Sequence, residues 1–152
     1  LTAAIRVDDQ IFNLVPSDED NSDTLSLLLY QLGTQQYYQR NWQGTVDAAK
    51  QLSQLAMHGS RAALNLFRSA CLYSNASSSV LLDPKIGMSR IIELREGYSQ
   101  QAIDTLRKCQ KHGLPDGLQD AESILAIPDL KPLHAREDFK KFLQELEEDL
   151  QK

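Results

Sequence analysis

Apolar residues recur every three or four positions along almost the whole chain, which is the spacing of one face of an α-helix. No stretch alternates apolar and polar residues with the period of two that a half-buried strand shows. Turn-forming residues separate the helical runs. The sequence therefore predicts an all-α fold with at least six helices and no sheet, over residues 2–15, 24–40, 43–58, 60–82, 89–112, 121–126 and 136–150.

Residues that start or stop helices set the boundaries of these runs. Pro16 ends the first run, and the acidic stretch 17–23 is expected to form a solvated loop. Asp23 and Ser60 have side chains that cap helix N-termini, so each is predicted to cap the helix that follows it. Asn41 separates two helices by so short a turn that they must pack antiparallel.

Three of the predicted helices share a small residue, then an aliphatic one, then apolar residues further along the same face. The shared pairs are Ala4-Ile5, Thr45-Val46 and Ala102-Ile103. This pattern resembles the second helix of a tetratricopeptide repeat, where the small residue lets the helix approach its partner closely. The segments around Gly33 and Ala70 resemble first helices, with the small residue at the crossing point. The resemblance implies a short α-solenoid of degenerate antiparallel helical hairpins, and a generic helical bundle is the alternative.

On this basis the chain is interpreted as one tetratricopeptide-like domain, residues 1–152, with four parts. Residues 1–16 are expected to be the second helix of a truncated repeat, and residues 24–58 a complete helical hairpin. Residues 60–113 are expected to form a stretched hairpin, whose first helix continues through a Ser-rich tail. Residues 114–152 are expected to form a C-terminal cap.

The predicted cap has a physical reason, because the last repeat of an array must cover an exposed apolar end. Residues 127–133 are too rich in proline for an α-helix, so a packed turn is predicted there. Leu130 and Leu133 are expected to seal the apolar end. Phe139 and Leu143 are expected to dock a capping helix whose other face is polar.

A second resemblance covers the C-terminal two-thirds of the chain. It rests on the segments Ala70-Cys71-Leu72-Tyr73-Ser74, Asp83-Pro84, Tyr98…Ala102-Ile103 and the ending 127–143. This combination is similar to the C-terminal region of bacterial Ser/Thr protein kinases that carry tetratricopeptide repeats after the catalytic domain. The resemblance implies a kinase-containing parent, although the same ending also occurs on repeat proteins without a kinase domain. The Gly-rich loop, His-Arg-Asp and Asp-Phe-Gly motifs of kinases are absent from this sequence.

Charge and composition narrow the classes of partner. The net charge of −5 argues against nucleic acid or an anionic membrane, since both need a basic surface. No apolar run approaches the roughly 18 residues of a transmembrane helix, so no membrane span is expected. Cys71 and Cys109 have no metal-ligand spacing and fall on apolar helix faces, so buried free thiols in a reducing, cytoplasmic setting are expected.

No catalytic constellation is recognisable in the sequence. His58, His112 and His134 lie in three separate elements, and two of them stand at helix ends, where histidine is favoured. No serine or cysteine stands in a nucleophile motif. No enzymatic activity, metal or cofactor is therefore expected, and a hydrolase that pairs a histidine with a carboxylate is the least favoured alternative. Trp42, at a turn, is expected to be a packing plug rather than a recognition anchor.

In tetratricopeptide repeats the ligand lies on the concave face of the first helices. The resemblance places this groove on Leu27, Tyr30, Thr34, Tyr37, Leu64, Phe67, Cys71 and Ser74. A shift of one residue within 36–38 would exchange the groove and core roles of the two tyrosines there. The alternative is that these rings belong to the core.

The expected groove is aromatic and aliphatic, so a carboxylate-terminated peptide is disfavoured as its ligand. A protein or peptide with an apolar or amphipathic segment is the expected partner. The function expected is a non-catalytic protein-interaction or scaffold domain. A self-association or structural module of a repeat protein without a kinase domain is the alternative.

Overall fold

A computed structural model describes residues 19–58 and 61–152, and within them every regular element is helical. The confirmed class is therefore all-α. The predicted helix over residues 2–15, the truncated repeat of residues 1–16 and the cap at Ser60 lie outside the described residues. The α-helices are α1 (Glu19–Tyr38), α2 (Trp42–Ala56), α3 (Ala62–Ser79), α4 (Met88–Lys111), α5 (Ala121–Leu125) and α6 (Glu137–Leu150), and two 3₁₀ helices span Val80–Leu82 and Pro128–Leu133.

The four long helices pack in chain order. α1 packs against α2, α2 against α3 and α3 against α4, each antiparallel to its neighbour. α1 also contacts α3, so α3 has helices on several of its sides. The antiparallel hairpins that the short turns predicted are confirmed for these helices.

The first described helix begins earlier than its sequence predicted. α1 starts at Glu19, so the expected solvated loop over residues 17–23 is wrong from Glu19 onward. Asp23 is not a cap; it lies inside the helix and pairs with Arg61 at 3.2 Å. Acidic residues suit either a solvated loop or the first turn of a helix, where the positive end of the helix dipole favours negative charge. The pattern of charges alone did not distinguish the two.

A tight turn joins α1 to α2. Arg40 has a positive φ of 59°, and the backbone N–H of Asn41 donates to the carbonyl of Gln36 at 2.9 Å. The Asn41 side chain then caps α2, because its oxygen accepts a hydrogen bond from the backbone N–H of Gly44 at 3.2 Å. These bonds satisfy backbone groups that the helix ends leave free.

Gly33 lies where three helices come closest. A Cβ atom added there would stand 2.5 Å from Cδ1 of Leu72 on α3 and 3.0 Å from Cβ of Ala48 on α2. The hydroxyl of Thr45 donates to the Gly33 carbonyl at 3.1 Å, which shows how near the α2 surface lies. Glycine is needed here for space, as the predicted small residue at a hairpin crossing requires.

The Ser-rich segment is the end of a helix, as predicted. α3 runs to Ser79, and the 3₁₀ turn that follows ends at Asp83. Ser69 and Ser77 are buried, and their hydroxyls donate to the carbonyls of Ala49 and Ser74 at 2.7 and 2.6 Å. Their small side chains let neighbouring elements approach α3 closely.

The C-terminal elements pack on α3 and α4. The 3₁₀ helix Pro128–Leu133 packs on α3, where Leu130 and Leu133 are fully buried. Phe139 is also fully buried on the inner face of α6. Arg136 holds the start of α6 to α4, because its guanidinium donates to the Glu96 carboxylate at 2.7 and 3.0 Å.

We expect the two interior helical glycines Gly33 and Gly97 to respond oppositely to substitution by alanine. Gly33→Ala should lower the free energy of unfolding by about 1–3 kcal/mol, because a new methyl group would be forced against Leu72 and Ala48. Gly97→Ala should raise it by about 0.5–1 kcal/mol, because a Cβ there meets no atom within 4 Å and alanine is the better helix former. Urea titration of both variants measures the two changes in the free energy of unfolding. A neutral Gly33→Ala would contradict the close crossing.

Candidate functional site

The α3 half of the predicted groove lies in the core. Phe67 is 5% exposed and Cys71 2%, and Ser74 is also buried. Leu64 is only half-buried. The chain's own segment Pro128–Leu133 packs against α3, and its Asp129 lies beside Cys71. For Phe67 the structure therefore agrees with the alternative in which the ring is core.

The α1 half of the predicted groove remains accessible. Leu27 is 45% exposed, and Tyr30 and Thr34 are half-buried. Of the two tyrosines whose roles the sequence left open, Tyr38 is 77% exposed and Tyr37 is half-buried. Tyr38 is thus the accessible residue that the eight predicted positions missed.

These residues share one side of α1. A shallow, open depression of about 560 Å³ is lined by Tyr30, Gln31, Thr34, Gln35, Tyr38 and Gln39. Leu27 continues the same side, since it precedes Tyr38 by three helical turns, or about 16 Å. We call these seven residues the outer face of α1. The signal that identifies Tyr38 is its spacing of four from Thr34, once the helix is known to run unbroken to this point.

A polar network beneath this face fixes Tyr30. Its hydroxyl donates a hydrogen bond to the carboxylate of Asp129, which belongs to the segment that covers α3. The guanidinium of Arg68 lies over the Tyr30 ring, 5.8 Å from its centroid, and donates to the hydroxyl of Ser26 at 2.7 Å. Ser26 in turn donates to Asn65. The network ties α1, α3 and the C-terminal segment together.

Burial sets the electrostatics of this network. Desolvation, followed by the hydrogen bond to Asp129, raises the pKa of Tyr30 well above its ordinary range, so the phenol stays neutral. Desolvation lowers the pKa of the Arg68 guanidinium, which remains charged at neutral pH because arginine starts from so high a value. The network therefore consists of the neutral phenol of Tyr30, the Arg68 cation and the Asp129 carboxylate. Together these groups hold the Tyr30 ring in place.

Both cysteines are buried and free, as predicted. Burial, with the nearby Asp129 carboxylate, raises the pKa of the Cys71 thiol. Burial also raises the pKa of Cys109 to about 12, and its thiol lies 3.1 Å from the carbonyl oxygen of Ala63. A thiolate is the reactive form of cysteine, so both groups are poorly suited to nucleophilic chemistry.

Trp42 has the packing role that its sequence position predicted. Its indole nitrogen donates to the carboxylate of Asp83 at 2.9 Å, and its ring lies 5.8 Å from that of Tyr98. The backbone N–H of Lys85 and the bond from Trp42 together hold the pKa of Asp83 below its usual value. Trp42 thereby joins the start of α2 to the connection between α3 and α4.

The histidines stand in three different settings. His112 is the C-terminal cap residue of α4, and His58 follows the end of α2. His134 stacks on Phe139 with ring centroids 5.8 Å apart, and its buried Nε2 has no hydrogen-bond partner among the described residues. Within residues 19–58 and 61–152, no group of three His, Cys, Asp or Glu side chains is placed to hold a metal ion. No helix in that part of the chain is long and apolar enough to cross a membrane.

No family model, curated protein or solved structure matches this chain. A proposal for the function of this chain therefore depends on the geometry and chemistry of its surfaces.

We expect both cysteines to resist a thiol reagent in the native protein. Cys71 and Cys109 are buried with raised thiol pKa values, so reaction with a disulfide reagent at neutral pH should follow unfolding rather than native encounter. The rate of thiol reaction is measured from the absorbance of the released reagent group, in buffer and in denaturant. The denaturant sample is the reference, because both thiols are exposed there. Rapid native labelling of Cys71 would mean that the segment over α3 opens readily.

Proposed function

We propose that this chain is a non-catalytic protein-interaction module that binds a partner through the outer face of α1. The single observation that carries the proposal is a side of α1 that presents exposed Leu27 and Tyr38 with half-buried Tyr30 between them, on a helix whose other sides pack against α2 and α3. Exposed tyrosine and leucine side chains on a fixed scaffold are typical anchors of interfaces.

The shape of this face favours an extended protein segment over a small ligand. Pockets for small molecules enclose most of their ligand, whereas this depression is shallow and formed by one helix. The glutamines of its lining, Gln31, Gln35 and Gln39, carry neutral amide groups. Such groups form hydrogen bonds without selecting for charge.

The occupant that fits this face is an amphipathic helix of a partner protein. In the described chain each long helix packs beside the next, and α1 is the first of them. A partner helix on the outer face of α1 would continue this antiparallel packing. The outer face of α1 is about 16 Å long from Leu27 to Tyr38, which matches three turns of such a helix.

The wider setting follows from the sequence resemblances. The order of antiparallel helices and the close crossing at Gly33 support a degenerate tetratricopeptide-like array. The similarity of residues 70–143 to the C-terminal regions of bacterial Ser/Thr protein kinases supports a regulatory or scaffold role within such a protein. The proposed module would recruit a substrate or regulator without taking part in phosphoryl transfer.

The variant that tests this proposal is Tyr38→Ala. Tyr38 is 77% exposed, so its removal should leave the thermal midpoint unchanged. If it anchors a partner, truncation should cost about 2 kcal/mol of binding free energy or more. The immobilised protein would be used to capture partners from a lysate of the source organism. The purified partner would then be titrated against wild type and Tyr38→Ala by calorimetry.

Leu150→Ala is the matched control, since Leu150 is an exposed apolar residue on α6, away from the outer face of α1. The proposal requires that Leu150→Ala binds like wild type. Equal binding by Tyr38→Ala and wild type would remove the outer face of α1 as the site. Sedimentation velocity on the same samples would detect self-association instead, for which the exposed Leu81, Leu82, Met88 and Ile92 offer a surface.

A further inference from the structure

A second cavity, of about 720 Å³, lies where three helix ends meet. It is lined by the last turn of α2, the first turns of α3 and the last turn of α4. The lining residues are Ser53, Gln54, Ala56, Met57, Ala62, Leu66, Lys108, Lys111 and His112. None of these belongs to the outer face of α1.

One wall of this cavity carries positive charge. Lys108 and Lys111 stand in the last turn of α4, beside His112. Across the described chain, neither lysine forms an ion pair, and the lining of the cavity contains no acidic residue. On a protein with a net charge of −5, this is a local concentration of uncompensated cations.

The floor of the cavity is apolar. Leu66 and Ala56 are buried there, while Met57 is 80% exposed at its edge. Methionine is flexible and polarizable, and it adapts to different apolar side chains. The cavity therefore combines an apolar floor with a cationic wall.

The adjacent side of the same helix already binds an acidic helix of this chain. Arg107 donates to the carboxylate of Glu145 at 2.7 Å, and Gln110 donates to Asp149 at 3.2 Å. Both acids lie on α6, which buries Phe142 and Leu146 on its inner face. An acidic amphipathic helix thus docks on the last turns of α4, next to the side that carries Lys108 and Lys111.

We propose that this cavity binds an acidic amphipathic segment of a partner protein, with an apolar side chain on Leu66 and Met57 and carboxylates on Lys108 and Lys111. Two observations favour an acidic amphipathic ligand: the charge complementarity of the cavity and the docking of α6 on the adjacent side of α4. The site is independent of the outer face of α1 and takes a ligand of different chemistry. The competing explanation is that both lysines only complement the negative end of the α4 dipole.

Fluorescence anisotropy with a labelled synthetic peptide tests the site in the full chain. The probe has Leu at helical spacing and Glu at the remaining positions, and a second peptide has Gln in place of Glu. Saturable binding of the Glu peptide is expected, weakened by added salt. Lys108→Gln combined with Lys111→Gln should weaken it by roughly three- to tenfold, which is the size expected for two partly exposed ion pairs.

Two further variants separate a site from general charge attraction. Lys85→Gln removes one exposed lysine at the other end of α4 and should bind the probe like wild type. Met57→Gln removes an exposed apolar edge without changing charge, and it should weaken binding without lowering the thermal midpoint.

Several results would overturn the proposal. The first is an absence of saturable binding of the Glu peptide to wild type, and the second is equal binding of the Glu and Gln peptides. The third is a loss of affinity in Lys85→Gln as large as the loss in the double lysine variant. If the double lysine variant has a lower thermal midpoint but unchanged peptide binding, the lysines serve only the helix dipole.

Discussion

The enclosure of α3 is the constraint on which the rest of the described structure depends. α1, α2, α4 and the segment Pro128–Leu133 all pack against this helix. A helix surrounded in this way must offer little bulk where its neighbours approach, and Ala70 and Ala76 are both completely buried. The hydroxyls of its buried Ser69 and Ser77 donate to nearby carbonyl groups, whereas those of Ser74 and Ser79 have no hydrogen-bond partner among the described residues.

This enclosure determines which surfaces remain for binding. The segment that packs on α3 places Asp129 against Tyr30 and Cys71, so the chain itself closes this side of α3. The outer face of α1 and the cavity beside Lys108 and Lys111 both lie outside this closed region. Their chemistry differs, because the first is uncharged and aromatic while the second is apolar and cationic. A module with both would hold two partners, or two segments of one partner, at fixed relative positions.

Much of the fold was predictable from local signals, whereas the groove was not. Asn41, Asp120 and the prolines around Leu130 mark helix ends by local chemistry, and each lies where the sequence placed an end or a turn. Phe67 was expected on an open face because an apolar residue at helical spacing has the same pattern whether it meets a ligand or a distant part of the chain. The segment Pro128–Leu133, which packs on the same helix, is about sixty residues further along the chain, and periodicity carries no information about such a contact. The choice between Tyr37 and Tyr38 depended on which side of the last turn of α1 meets its neighbours, and the local sequence does not determine those tertiary contacts.

Native-state hydrogen exchange tests most directly whether α3 is the enclosed centre of the structure. Amides that open only when the whole domain unfolds exchange slowest, while those in separable units exchange sooner. The enclosure of α3 predicts that the amides of residues 66–76 are the slowest in the chain. It also predicts that those of Leu130, Leu133 and the inner face of α6 approach the same limit. Exchange of residues 66–76 ahead of α1 and α2, through an opening that frees the C-terminal segment, would contradict it.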